Sequence, residues 1–507
     1  MFQPYLRSII FLSILAFVSL LSLCILHPFL WLLINKQTRL NQGSTLYSEW
    51  LQPSVPIFIQ FYFFNLTNPS EFQSGHKPHV QQLGPYTYYE KRAKFNISHE
   101  NGSITYQEIK WYYFDPNLSN GTENDTITSV NLAYIAIATK LSFMPWPISR
   151  VIEQIEEHFH EYLFITKTVN QLLWGYEDEL LTFISNHFIN ISTNIGLFIN
   201  KNNTPSDYVT INDGSHDNKK IGQIIKYHGN NTLSCWKTLT ANMINGTDGS
   251  IFHPFINKDE DLYIFASDIC RSLQFGFDSI MKINKLPVLK FIPLSDIFKS
   301  PKYYEKNKGF CLNWPNCYDD GILDMSSCQS GAPIVISQPH FLNANKSYQN
   351  AVDGMYPTDE FNTMIYIEPN TGSIIRAEKK LQINIVVKND PNFKQLSNLS
   401  TTLLPIMFIN ESVQLNDTLI QQFIVILIQT PYIVQIILIC IVTMATIGIC
   451  SISLVYFYQH RRSSNYTHHI DNIHEEEPND TTYYNIENES EHQITLDNDQ
   501  QQKDPIA

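Results

Sequence analysis

Two stretches of this chain contain no Asp, Glu, Lys or Arg, one running from Ser8 to Asn35 and the other from Thr418 to Gln459, and they constrain the molecule more than its length of 507 residues does. The hydrocarbon core of a bilayer takes about 20 apolar helical residues, and each stretch holds such a run, at 9–30 and 432–458. The first continues through Phe29-Leu30-Trp31-Leu32-Leu33-Ile34, past the roughly 7–15 residues of a cleaved secretory signal core, so it reads as a retained anchor. Arg461 and Arg462 follow the second run directly. Basic residues mark the cytosolic flank of a span, so both termini are expected in the cytosol. The expected layout is a cytosolic segment 1–8, a span 9–30, an extracellular or lumenal domain 31–431, a span 432–458 and a cytosolic tail 459–507. The chain is then integral to the plasma membrane, to the endosome-lysosome membrane, or to both.

That topology exposes the central segment to the glycosylation machinery. Sequons stand at Asn65, Asn96, Asn101, Asn117, Asn120, Asn124, Asn190, Asn202, Asn230, Asn245, Asn345, Asn398, Asn410 and Asn416, and are the candidate N-glycosylation sites. Three more, at Asn465, Asn479 and Asn488, fall in the tail, where the topology forbids their use. The net charge is −14, and the tail holds eleven acidic residues against Arg461, Arg462 and Lys503. It reads as a disordered, solvated segment. The ectodomain is only mildly acidic, with no basic field for nucleic acid.

Of the eight cysteines, Cys24, Cys440 and Cys450 lie in or beside the apolar runs. Cys235, Cys270, Cys311, Cys317 and Cys328 remain outside, where an oxidising compartment favours disulfides. No Cys-x2-Cys pair supports zinc instead, and no metal or other cofactor is expected. The odd cysteine, Cys235, is either a buried free thiol or a bridge between chains.

Short runs rich in β-branched and aromatic residues recur between turn residues: 57–64, 104–114, 286–291, 334–337, 363–368 and 381–387. They point to a mainly antiparallel sheet or barrel. A helical pair interrupts them. Ile148, Val151, Ile152, Ile155, Phe159, Tyr162 and Leu163 share one helix face, and Glu153, Glu156, Glu157, His158, His160 and Glu161 occupy the other. Histidine titrates near endosomal pH, so that polar face is a candidate partner-binding surface that responds to acidification. A second helix should start at Thr168, with Gln171 completing a capping box, and bury Leu172, Leu173, Tyr176, Leu180 and Ile184.

Several runs together resemble the class B scavenger receptor family. They are Phe64-Asn65-Leu66-Thr67-Asn68-Pro69, Leu83-Gly84-Pro85-Tyr86-Thr87-Tyr88, Leu173-Trp174-Gly175-Tyr176, the segments 244–249, 267–272 and 328–334, Pro339-His340-Phe341 and the segment 367–372. Phe252-His253-Pro254, Lys258-Asp259-Glu260 and Gly309-Phe310-Cys311 are most similar to the family's lysosomal member. The resemblance implies an α+β fold: a large antiparallel β-barrel-like ectodomain with an apical helical bundle at about 148–186 and an internal apolar tunnel, anchored by two transmembrane helices. It implies disulfides Cys270–Cys328 and Cys311–Cys317. A third bridge found in many cell-surface members would fall at Ala241 and Gly309, where both cysteines are missing. The implied function is binding of lipid, lipoprotein or protein ligands for uptake or lipid transfer. The alternative is a lysosomal trafficking receptor that escorts a lumenal hydrolase. Homo-oligomerisation is compatible with either.

The tail carries Tyr483-Tyr484-Asn485-Ile486, in which Tyr483 and Ile486 fit the Tyr-x-x-apolar signal read by clathrin adaptors. The C-terminal dileucine signal expected of the lysosomal relative is absent, since the chain ends Asp504-Pro505-Ile506-Ala507. No Gly-x-Ser-x-Gly, His-Glu-x-x-His or phosphate loop is present, so the chain is not expected to be an enzyme. His160-Glu161-Tyr162-Leu163-Phe164 lacks the second zinc ligand. A two-anchor ectonucleotidase and a two-span ligand-gated channel share the topology. Only Thr443, Thr446, Gly448 and Ser451 suggest a pore, and small residues also serve helix packing.

Overall fold

The computed structural model describes residues 2–141, 162–187 and 192–474. The chain forms two compact units, Met1–Leu23 with Ile436–Ala507, and Cys24–Gln435. Both apolar runs are helical and long enough to cross a membrane. They belong to helices α1 (Phe2–Gln37) and, at the other end, Thr430–His474. In the first unit these helices meet at small residues. Ala16, Ser19 and Ala445 are buried, and a Cβ on Gly448 would come within 2.9 Å of Leu12. The hydroxyls of Thr443, Thr446 and Ser451, all exposed, bond back to carbonyls of their own helix, which satisfies them in an apolar surrounding.

The second unit begins with α2 (Thr45–Leu51), whose first turn is capped by Ser44 accepting from the Tyr47 N–H. Thirteen strands form one antiparallel sheet: β1 (Ile57–Leu66), β2 (Val80–Glu100), β3 (Ser103–Phe114), β4 (Val209–Asn212), β5 (Ile224–Tyr227), β6 (Leu262–Ala266), β7 (Arg271–Ile283), β8 (Leu286–Pro293), β9 (Leu323–Asp324), β10 (Ile334–Ser337), β11 (Met364–Glu368), β12 (Ser373–Val387) and β13 (Thr402–Gln414). Their order is β6-β7-β8-β11-β12-β13-β1-β2-β3-β4-β5, with β10 pairing with β12 and β9 with β10.

The sheet curls until its two edges almost meet, and segment 246–247 fills the gap. Ile224 on the β5 side donates to the Gly246 carbonyl at 2.8 Å, while Thr247 donates to Tyr263 and accepts from Phe265 on the β6 side. Gly246 has φ +83°, and a Cβ there would lie 1.8 Å from the Tyr263 carbonyl oxygen. Only glycine fits this closure.

Both faces of the central strands are covered, so β1 reads as an almost continuous apolar run. Ile59, Phe61 and Phe63 pack inward with Tyr86, Tyr88 and Met407. Phe64 and Leu66 pack on the opposite face with Phe408, Ile385 and helix α3 (Leu132–Leu141). The capping box at Thr168 and Gln171 is present. The single helix expected to follow it is instead two, α4 (Val169–Trp174) and α5 (Glu179–His187). Gly175 takes φ +116° and ends the first; Tyr176 and Glu177 then pair with Ile195 and Asn194, and Asp178 restarts the helix by accepting from the Leu181 N–H. The chain continues past β13 into α6 (Asp417–Ile424), a π-helical turn and α7 (Thr430–His474).

Candidate functional site

Strand register brings a set of side chains together on the inner face of the barrel that hydrophobic patterning overlooks. Phe61 pairs with Tyr86 and Ile409, Glu90 with Tyr112, Arg92 with Lys110, Lys94 with Glu108, and Lys379 with Glu411. Paired residues project from the same side of a sheet, so one inner surface carries both an aromatic and an ionic region. In the aromatic region, Phe61 meets Phe198 at 4.8 Å and Tyr88 at 5.6 Å, and Tyr88 meets Trp174 at 5.3 Å. The hydroxyls of Tyr86 and Tyr88 donate to Asp125 and Glu123 at 3.1 and 2.8 Å. Burial, helped by those carboxylates, holds both phenols well above the ordinary tyrosine range.

The ionic region has four carboxylates and four cations. Arg92 reaches Glu411 at 2.7 Å and also pairs with Glu90; Lys110 reaches Glu90 at 3.3 Å, and Lys94 reaches Glu108 at 3.1 Å. Lys379 bridges Asp268 at 2.9 Å and Glu411 at 3.6 Å. Lys94 also lies 5.2 and 5.4 Å from the Trp50 and Tyr106 ring centroids. Burial alone would raise a carboxylate's pKa, but here the surrounding cations win. Glu108 is held at about 2 by Lys94, Arg92 and Lys110, and Glu411 at about 2 by Lys379, Lys110 and Arg92. Lys379 pulls Asp268 further below its ordinary range. Each group stays charged because its partners replace the water it has lost.

The ionic strip is not uniformly closed: Lys94 is 1 % exposed at one end, whereas Asp268 and Lys379 keep 56 % and 41 % of their side-chain surface exposed at the other. An amphipathic molecule on this surface would meet hydrocarbon and aromatic edges in one part and fixed charges in another.

The residues singled out from sequence are distributed differently. The structure contains disulfides Cys270–Cys328 and Cys311–Cys317. Cys235 is a half-buried free thiol whose pKa burial pushes up. Ala241 and Gly309 are neighbours, since a Cβ on Gly309 would lie 2.7 Å from that of Ala241. Among the sequons, Asn96, Asn101, Asn117, Asn120, Asn124, Asn202, Asn230, Asn345, Asn398 and Asn416 are exposed, while Asn65, Asn245 and Asn410 are half-buried. Asn65 accepts from the Thr128 N–H, and Asn410 donates to Gln60. A surface pocket of about 610 Å³ has Asn120 and Asn124 in its wall, where glycans would fill it. Asn190, the face formed by Glu153, Glu156, Glu157, His158, His160 and Glu161, and the tail signal of Tyr483 and Ile486 lie outside the described residues. Among the described residues, no group of three or more His, Cys, Asp or Glu is placed to hold a metal ion.

A family model described as the CD36 family matches residues 9–459. The chain belongs to the CD36 family. It is 38 % identical over 384 residues to lysosome membrane protein 2 of Rattus norvegicus, covering 75 % of this chain and 79 % of the relative. It is 30 % identical over 403 residues to scavenger receptor class B member 1 of Sus scrofa, covering 78 % of each. The match to the CD36 family spans both membrane-length helices and every strand of the barrel. The chain is thus a scavenger-receptor-like integral membrane protein.

Proposed function

We propose that this chain is a receptor that takes an amphipathic lipid, delivered free or from a lipoprotein, into the barrel interior and transfers it toward the membrane in which it is anchored. The observation that carries this reading is the divided inner surface, with Phe61, Tyr88 and Phe198 in one region and the partly open Lys379–Asp268 pair in the other. Poorly soluble lipid monomers gain from an enclosed apolar path, and a fixed ionic strip orients a polar headgroup without requiring a single charge sign. The test is native mass spectrometry of the full-length chain extracted in mild detergent. Co-purifying fatty acid, sterol or phospholipid that decreases after Phe61→Trp fills the apolar region is the expected result. A correctly disulfide-bonded chain that never carries lipid, even after incubation with fatty acid, would overturn the reading. Both termini are proposed to lie in the cytosol, on the strength of Arg461 and Arg462.

A further inference from the structure

The end of the barrel from which the chain runs on into the membrane helices is defined by covalent connection. β1 starts at Ile57, after α1 and α2, and β13 ends at Gln414, just before α6. Ile57 and Val413 are paired, which puts both at the same end of the sheet. The turn between β11 and β12, residues 369–372, lies there too, because Arg376 pairs with Gln414 and Glu368 with Ser373. Leu289 pairs with Ile367, so the β7–β8 hairpin, turning at Asn284-Lys285, reaches one residue, about 3 Å, beyond that neighbouring turn. The turn is of the tight two-residue kind, with φ +47° and +75° at Asn284 and Lys285.

This hairpin is tied to the segment that enters the membrane. Asn284 donates to the Asp417 carboxylate at 2.6 Å, and Leu286 and Val288 pack in one cluster with Ile420 and Ile424 of α6. Among the described residues its outer strand has no strand beside it on that edge beyond residue 275, since β6 pairs only with Arg271–Phe275. That edge carries Ile280 and Met281, 63 % and 44 % exposed. Exposed Lys282 and Lys285 follow them toward the turn, and neither has a carboxylate within salt-bridge distance among the described residues; Asp278, on the other side, is paired with Lys290. The β2–β3 hairpin at the same end is different: it carries His99, Glu100 and sequons at Asn96 and Asn101. The β7–β8 tip has no sequon. A second base element, the loop at Phe255, stacks on Trp31 of α1 at 5.5 Å.

We propose that the β7–β8 hairpin is a membrane-contact element, in which Ile280 and Met281 enter the headgroup layer of the bilayer anchoring this chain and Lys282 and Lys285 pair with lipid phosphates. Apolar side chains beside unpaired lysines match that interface, with hydrocarbon below the headgroups and ammonium groups level with the phosphates. The contact docks the base of the barrel on the bilayer, so that cargo leaving the interior would meet lipid rather than water. It rests on the membrane topology and not on the lipid-cargo reading.

The oxidation test uses the unaltered full-length chain in nanodiscs of phosphatidylcholine, whose phosphates are the proposed partners, with chloramine-T as a water-borne oxidant. Met281 and Met243 are similarly exposed, at 44 % and 46 %. Met243 lies by Ser272, nine residues or roughly 30 Å up β7 from Met281. Met281 should oxidise at least fivefold more slowly than Met243, and equal rates would overturn the proposal. A photoreactive benzoylphenylalanine at position 280 should give phospholipid adducts by mass, while the same group at Tyr356, which is 73 % exposed at the opposite end of the sheet, should not. Protection of Met281 without lipid adducts at 280 would mean that something other than the bilayer covers the hairpin, and would also overturn it.

Discussion

Along β2 the barrel interior changes character within two residues. Tyr86 and Tyr88 belong to a buried aromatic cluster, whereas Glu90, Arg92 and Lys94, at the same spacing and on the same face, belong to an ion network. Both regions are buried, yet burial acts on them with opposite outcomes. The phenols face Asp125 and Glu123, with no cation beside them among the described residues, and are held neutral. Glu108 and Glu411, each surrounded by three cations, are held ionised. His340 extends the contrast to the other face. It is 3 % exposed, accepts from the Tyr356 N–H and bonds Gln82, and stacks on Phe361. With no carboxylate among these neighbours, burial alone drives its pKa down to about 4. Partners, more than depth, decide whether a buried group keeps its charge.

The largest expected effect comes from breaking one partnership. Arg92→Met leaves Glu90 and Glu411 without their shared cation and should cost about 3–5 kcal/mol, read as a lower unfolding midpoint or retention in the secretory pathway. Adding Glu411→Leu should recover part of the loss. If Arg92→Met were no worse than Phe61→Leu, the ionic region would need no partnership and the comparison would fail.

Acid should separate the regions next. His340 has a folded value of about 4 against an ordinary 6.5, so stability present above pH 6.5 is lost as pH falls toward 4, about 2 kcal/mol of it by pH 5. Glu108 and Glu411 act below that window: their contribution is complete above about 4.5 and lost only as pH falls toward 2. Thermal unfolding at pH 7.4 and pH 5 should therefore show a drop that His340→Gln largely removes and that Glu108→Gln does not. In the aromatic region, Tyr88→Phe removes the hydrogen bond to Glu123 and should cost about 1 kcal/mol. Lys379→Gln should have the smallest effect on folding, below about 1 kcal/mol, because Asp268 is largely exposed and Glu411 keeps its closer partner Arg92. The same change should lower retention of anionic lipid relative to neutral lipid severalfold in native mass spectra.

The strands at 57–64, 104–114, 286–291, 334–337, 363–368 and 381–387 were legible because their apolar and β-branched residues form uninterrupted runs. β2 was not, although it is 21 residues long. Its inward positions include Glu90, Arg92 and Lys94, so a search for apolar alternation passes over it. The available signal was the period of two itself, Tyr86-Tyr88-Glu90-Arg92-Lys94, followed by a matching alternation at Tyr106-Glu108-Lys110-Tyr112. The split helix after Thr168 was missed for a related reason: Tyr176, Leu180 and Ile184 continue the helical spacing across Gly175, and only the bridge to Asn194 and Ile195 shows the break.

By itself the sequence determined the two membrane-length helices, the β-rich domain between them and the family resemblance, because each depends on local composition or on short motifs. Tertiary structure alone decided which strands close the barrel and which charges meet inside it. Arg92 and Glu411 are separated by more than 300 residues, and Lys379 meets Asp268 from across the sheet. Whether a charge is buried, and whether a partner keeps it ionised, depends on side chains that only strand register brings together.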